Sequence, residues 1–132
     1  MKDLEQAQNL PSMATKDHRA LCGMLDTEVF STEIFGFHVQ QAVEKTLKAW
    51  LCGLGISYPR IHDLDELATL LEEADVIVPA SFATLCEFTD FAVAFRYDAF
   101  PDLEGDMDRQ DCIQRIEALT KHVKDELTKP NR

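Results

Sequence analysis

A chain of 132 residues fits one domain, since domains run to roughly 100–200 residues, and it is long enough to bury one sizeable core. Its 45% hydrophobic and 28% charged residues exclude a disordered chain, and five Gly with five Pro are too few for the many turns of a sandwich or barrel. Thirteen Lys and Arg against 24 Asp and Glu leave a net charge of −11, which opposes non-specific binding to a phosphate backbone or an anionic membrane.

Along the chain, Leu10, Met13, Ala14, Leu21, Met24 and Leu25 follow the i, i+3, i+4 rhythm of a first helix, with Pro11 or Ser12 near its start. Asp17 interrupts that stripe, and either a paired buried acid or a shifted register accounts for it. The segment 27–31 breaks the rhythm. Ser31 then supplies an N-cap, Glu33 suits the positive end of the helix dipole, and a second helix is predicted over about 32–52. Gly53 and Gly55 are its candidate left-handed caps, and Pro59 keeps the next loop from resuming helix. Asp63, Asp65 and Glu66 crowd the first turn of a short third helix whose core face is Leu64, Leu67, Ala68 and Leu71.

Pro79 suits the first turn of a fourth helix. Its apolar residues, Phe82, Leu85, Phe88, Phe91, Ala92 and Phe95, spread over more than one narrow stripe, which predicts a central position in the bundle. A polar loop over 97–106 leads to a fifth helix carrying Cys112, Ile116, Leu119 and Val123 on one face, with Ile113, Thr120 and Leu127 beside them. No repeat or long linker divides the chain, so residues 1–132 are expected to form a single all-α domain, a mostly antiparallel bundle of four to five helices. The N-terminus has no apolar run of signal-peptide type, and no stretch approaches the ~18 apolar residues of a membrane helix, which predicts a cytoplasmic protein with no membrane contact. Cys22, Cys52, Cys86 and Cys112 contain no C-x-x-C pair and are expected to be buried, reduced core thiols.

The second helix is the most informative element for chemistry. At 100 degrees per residue, Phe37, Gln40, Gln41, Glu44, Lys48 and Leu51 fall within an arc of about 100 degrees, while Val39, Val43, Leu47 and Trp50 gather on the adjoining arc. The polar arc is either a solvated face with a Glu44–Lys48 pair, or a surface for a ligand or partner, because amides, a carboxylate and an ammonium offer donors, acceptors and both signs of charge. His62 at the start of the third helix and Arg96-Tyr97 after the fourth are further polar points, each equally at home as a cap or loop residue. The acidic residues of 98–111 do not have calcium-loop spacing and no His/Cys cluster of ligand type stands out, so neither a metal nor a cofactor is expected.

The ordered combination of Phe37-His38-Val39-Gln40-Gln41-Ala42-Val43-Glu44-Lys45-Thr46-Leu47-Lys48-Ala49, then His62-Asp63-Leu64, then Arg96-Tyr97 before a polar loop and a last helix resembles the HEPN (higher eukaryotes and prokaryotes nucleotide-binding) domain over about residues 10–128. The resemblance implies a helical bundle that often forms homodimers. It also implies roles in nucleotide binding, RNA cleavage, or partnership with a minimal nucleotidyltransferase in toxin–antitoxin pairs. Gln41, Glu44, Lys48, His62, Arg96 and Tyr97 are the residues on which a nucleotide or partner site would rest.

Ribonucleases of this family carry an Arg and a His separated by four to six residues near the last helix. After Arg96 the matching positions are Pro101, Asp102 and Leu103, so no histidine stands there. Arg115 and His122 have the right separation but fall deep inside the predicted fifth helix. An Arg alone stabilises phosphate charge without shuttling a proton, which favours a binding module with no catalytic residue over a divergent metal-independent ribonuclease or a purely structural homodimer.

Overall fold

The computed structural model describes residues 15–26, 28–60, 63–83, 85 and 109–128, and every regular element among them is helical. In chain order these are α1 (15–23), α2 (Thr32–Gly53), α3 (Leu64–Glu73), α4 (Ala80–Ala83) and α5 (Arg109–Leu127). The chain is an all-α bundle. No described helix is long and apolar enough to cross a membrane.

The helix ends follow from local chemistry. Ser31 Oγ accepts from the Ile34 amide at 3.3 Å, and the Asp63 side chain accepts from the Asp65 and Glu66 amides, so Asp63 is the cap of α3 and precedes its first turn. Both helices close the same way: the Ile56 amide reaches back to the Leu51 carbonyl and the Val76 amide to that of Leu71, each at 2.9 Å, with Gly55 and Asp75 in the left-handed region. Gly53 is therefore a last helical residue and not a left-handed cap. Its missing side chain makes room for α5, since a Cβ there would stand 2.5 Å from Leu127 Cδ2.

The core joins Leu21 of α1, Phe35, Val39, Val43, Leu47 and Trp50 of α2, the Leu64, Leu67, Ala68, Leu71 face of α3, and Cys112, Ile116, Leu119 and Val123 of α5. Phe82 and Leu85 are buried with them, whereas the remaining aromatic residues expected in the fourth helix lie outside the described residues. Among the described elements α2 is the central one, buried on most of its circumference and packed against both α3 and α5. Arg109 meets Phe35 at one end of the α2–α5 contact and Leu127 meets Gly53 at the other, so these two helices run parallel. The pairs Arg109–Met24 and Glu117–His18 make α1 antiparallel to α5.

Two expected core residues are on the surface. Leu25 is 44% exposed because α1 ends before it, which frees it from the helical stripe. Cys22 is exposed, Cys52 half-buried and Cys112 buried, while Cys86 lies outside the described residues. Only Cys112 of these three faces the core, since Cys22 sits on the flank of α1 that Leu21 turns away from.

Candidate functional site

The polar arc of α2 is not a solvated face. Gln40 is fully buried and Glu44 is 5% exposed, because α2 is covered on this side as well as on its apolar side. Burial without partners would cost each group several kcal/mol, roughly, and most for the carboxylate. The helical repeat provides the partners: Gln40 Nε2 donates to Glu44 Oε1 at 2.7 Å, and Lys48 Nζ donates to Glu44 Oε2 at 2.9 Å, both at i, i+4. Gln41 Nε2 extends the chain by donating to Gln40 Oε1 at 2.8 Å.

Lys48 has a second neighbour. Its ammonium lies 5.6 Å from the centre of the Tyr58 ring, where the π face favours a cation. The Tyr58 hydroxyl is in turn 3.5 Å from Cys52 Sγ. Of the six residues expected to form a site, the structure brings together Gln41, Glu44 and Lys48; His62, Arg96 and Tyr97 lie outside the described residues. Among the described residues, Gln40 and Tyr58 join the network. Gln40 was readable from its place on the polar arc, but Tyr58 comes from a loop, where no periodicity points to it.

A second polar cluster resolves the oddity of Asp17, which is a paired, half-buried acid at the α1–α2 contact. Lys45 Nζ donates to Asp17 Oδ2 at 2.6 Å, and His38 Nδ1 stands 3.8 Å from Oδ1. Of the expected stripe, Leu21 and Met24 are buried, while Leu10, Met13 and Ala14 lie outside the described residues. A third cluster joins α1 to α5: His18 Nε2 is 2.9 Å from Glu117 Oε1 and 3.9 Å from Cys22 Sγ. His18 and Cys22 are one helical turn apart, but the third donor, Glu117, lies 99 residues from His18, so the grouping did not stand out in the sequence and arises only when α1 meets α5.

Arg109 is the first residue of α5 and is buried. Its guanidinium donates to the Met24 carbonyl at 2.7 Å and the Phe30 carbonyl at 2.6 Å, and it covers the Phe35 ring at 5.0 Å. It is a fastener for the α1–α2 connection. Arg115 and His122 share a face of α5 but not an environment. Arg115 Nε donates to Asp111 at 2.7 Å near the surface, while the His122 ring stands edge-on to Trp50 at 5.4 Å and against Phe82 at 5.7 Å. The buried Nε2 of His122 has no hydrogen-bond partner among the described residues.

An all-α bundle with a buried glutamine–carboxylate–lysine chain along its central helix is the class that fold and network define. A family model for the HEPN domain matches residues 6–126. The chain belongs to the HEPN family. No curated protein and no solved structure gives a significant match to it.

Proposed function

We propose that this chain is a HEPN-type protein-interaction module without ribonuclease activity, which pairs with a minimal nucleotidyltransferase in a toxin–antitoxin-type system and docks through the Gln41 to Lys48 edge of α2. The observation that carries the reading is the neutralisation of Lys48 by Glu44 at 2.9 Å, with Glu44 itself locked by Gln40. A polyphosphate is held by cations whose charge is available to it, and Lys48 is already committed to a carboxylate. The described part of the edge thus presents half-buried Gln41 and Lys48, held in place by the buried Gln40 and Glu44, a neutral polar rim suited to a protein surface. The net charge of −11 favours a partner with a basic face.

In this reading Gln41 contacts the partner, Glu44 and Gln40 fix the Lys48 ammonium, and His62, Arg96 and Tyr97 complete the surface as the family resemblance implies. A homodimer is the expected assembly state. The test is co-purification of wild-type and Gln41→Ala protein from native cytosol, with captured proteins and nucleotides both identified by mass spectrometry. A nucleotidyltransferase held by wild type and released by Gln41→Ala supports the reading. Capture of a nucleotide without a protein partner overturns it in favour of a nucleotide-binding module, for which calorimetric titration with ATP and GTP, with and without Mg²⁺, is the direct measurement. RNA incubated with wild type, Arg96→Ala and His122→Ala is expected to survive equally, and cleavage lost in either variant would instead identify a ribonuclease.

A further inference from the structure

We propose that His18, Cys22 and Glu117 bind one divalent ion of the zinc class, which clasps α1 to α5. Nε2 of His18, Sγ of Cys22 and a carboxylate oxygen of Glu117 all lie within 4.8 Å of one another. Two of the three edges of that triangle are 2.9 Å, between His18 and Glu117, and 3.9 Å, between His18 and Cys22. Bonds of about 2.0–2.1 Å to nitrogen and oxygen and about 2.3 Å to sulfur, opened at tetrahedral angles, require donor separations of about 3.3–3.6 Å. The first edge must open and the second close by about half an ångström, and the third, between Cys22 and Glu117 and no longer than 4.8 Å, must close by up to about 1.2 Å, a shift that rotation of these exposed side chains supplies.

The donor set selects the ion. Imidazole and thiolate together favour zinc over the oxygen-seeking calcium and magnesium, and a thiolate with one carboxylate cancels a charge of two. His18 and Cys22 stand at i, i+4, one turn apart on the same face of α1, and Glu117 projects from α5. Both helices are anchored independently of any metal, α1 to α2 by Asp17 and Lys45 at 2.6 Å and the start of α5 to the end of α1 by Arg109. Ligands carried on fixed elements lose little freedom on binding.

The fourth position opens toward solvent. His18 and Glu117 border a cleft of about 260 Å³ whose other walls are Thr15, Thr120, Lys121 and Lys124. Three protein ligands with an open fourth place describe a site that holds water or a small anion on the metal, and the two lysines favour the anion. Neither the α2 network nor its partner is involved, so this site stands or falls separately.

The test uses the full chain. Under reducing conditions after metal stripping, Co²⁺ is titrated as a spectroscopic stand-in for zinc, then displaced with Zn²⁺. The expected result is one ion per chain with a thiolate-to-cobalt charge-transfer band and intense visible absorption of tetrahedral type, both bleached by zinc. Cys22→Ser removes the charge-transfer band, and Glu117→Gln weakens zinc binding at least tenfold. Zinc raises the melting temperature of wild type but not of Cys22→Ser. Because Cys22 and Glu117 are exposed, both variants fold, which circular dichroism verifies. A band that persists in Cys22→Ser, or binding that Glu117→Gln leaves unchanged, overturns the site.

Discussion

Arg109 contributes to stability through geometry more than charge, because one planar fork reaches two carbonyls on either side of the α1–α2 turn while its face rests on Phe35. A lysine keeps the charge but cannot span both acceptors. Arg109→Lys is therefore expected to cost about 2 kcal/mol, the scale of one lost charge-assisted bond, and Arg109→Ala more, as read from urea unfolding midpoints. Equal midpoints for wild type and Arg109→Lys would show that a single bond suffices. Asp75 carries a positive φ of 64°, a conformation that glycine adopts without the clash a Cβ brings. Gly55 occupies the same place after α2. Asp75→Gly is expected to raise stability by up to about 1 kcal/mol, since the backbone bonds on both sides of it stay intact. No gain in the urea midpoint would mean that the aspartate side chain offsets its backbone strain.

Along α2 the i, i+4 spacing that makes a helix amphipathic also threads a polar chain through a buried side. Removing one member leaves a desolvated group behind, whereas removing both charges leaves amide and hydrocarbon. Lys48→Met and Glu44→Gln are each expected to cost about 2–4 kcal/mol, and the double variant clearly less than their sum. Additive costs in that double-mutant cycle would show that the pair is not coupled. Periodicity made the helices legible: α2 appears within one residue of its expected span, and the α3 face of Leu64, Leu67, Ala68 and Leu71 is buried as read. It made the polar arc of α2 legible too, but not its burial, because a helical wheel orders residues around one axis and says nothing of what covers each side. The role of Arg109 and the meeting of His18 with Glu117 were illegible for a related reason. Both depend on α1 lying along α5, a pairing between the two ends of the chain that no local pattern encodes.

At the scale of the whole molecule the net charge of −11 acts on a small body. A folded chain of this length has a radius of gyration of about 14 Å. The screening length is about 30 Å at 0.01 M salt and about 10 Å at 0.1 M, so at low salt every carboxylate feels every other, and the folded state, being the more compact, is penalised more than the unfolded one. Salt also weakens attractive pairs, but unequally. Arg115 and Asp111 are exposed by 40% and 49%, so they have little to lose, whereas Lys48–Glu44 and Lys45–Asp17 are buried enough to be shielded from counter-ions. The general repulsion therefore governs the sign. Raising NaCl from about 0.01 M to about 0.1 M is expected to raise the urea midpoint without changing the slope of the transition. The same salt is expected to weaken association with a basic partner, because the field that strains the fold is the one that attracts it. A midpoint that falls with salt would mean that local ion pairs outweigh the net charge, and the acidic surface would then have to be counted as a source of stability.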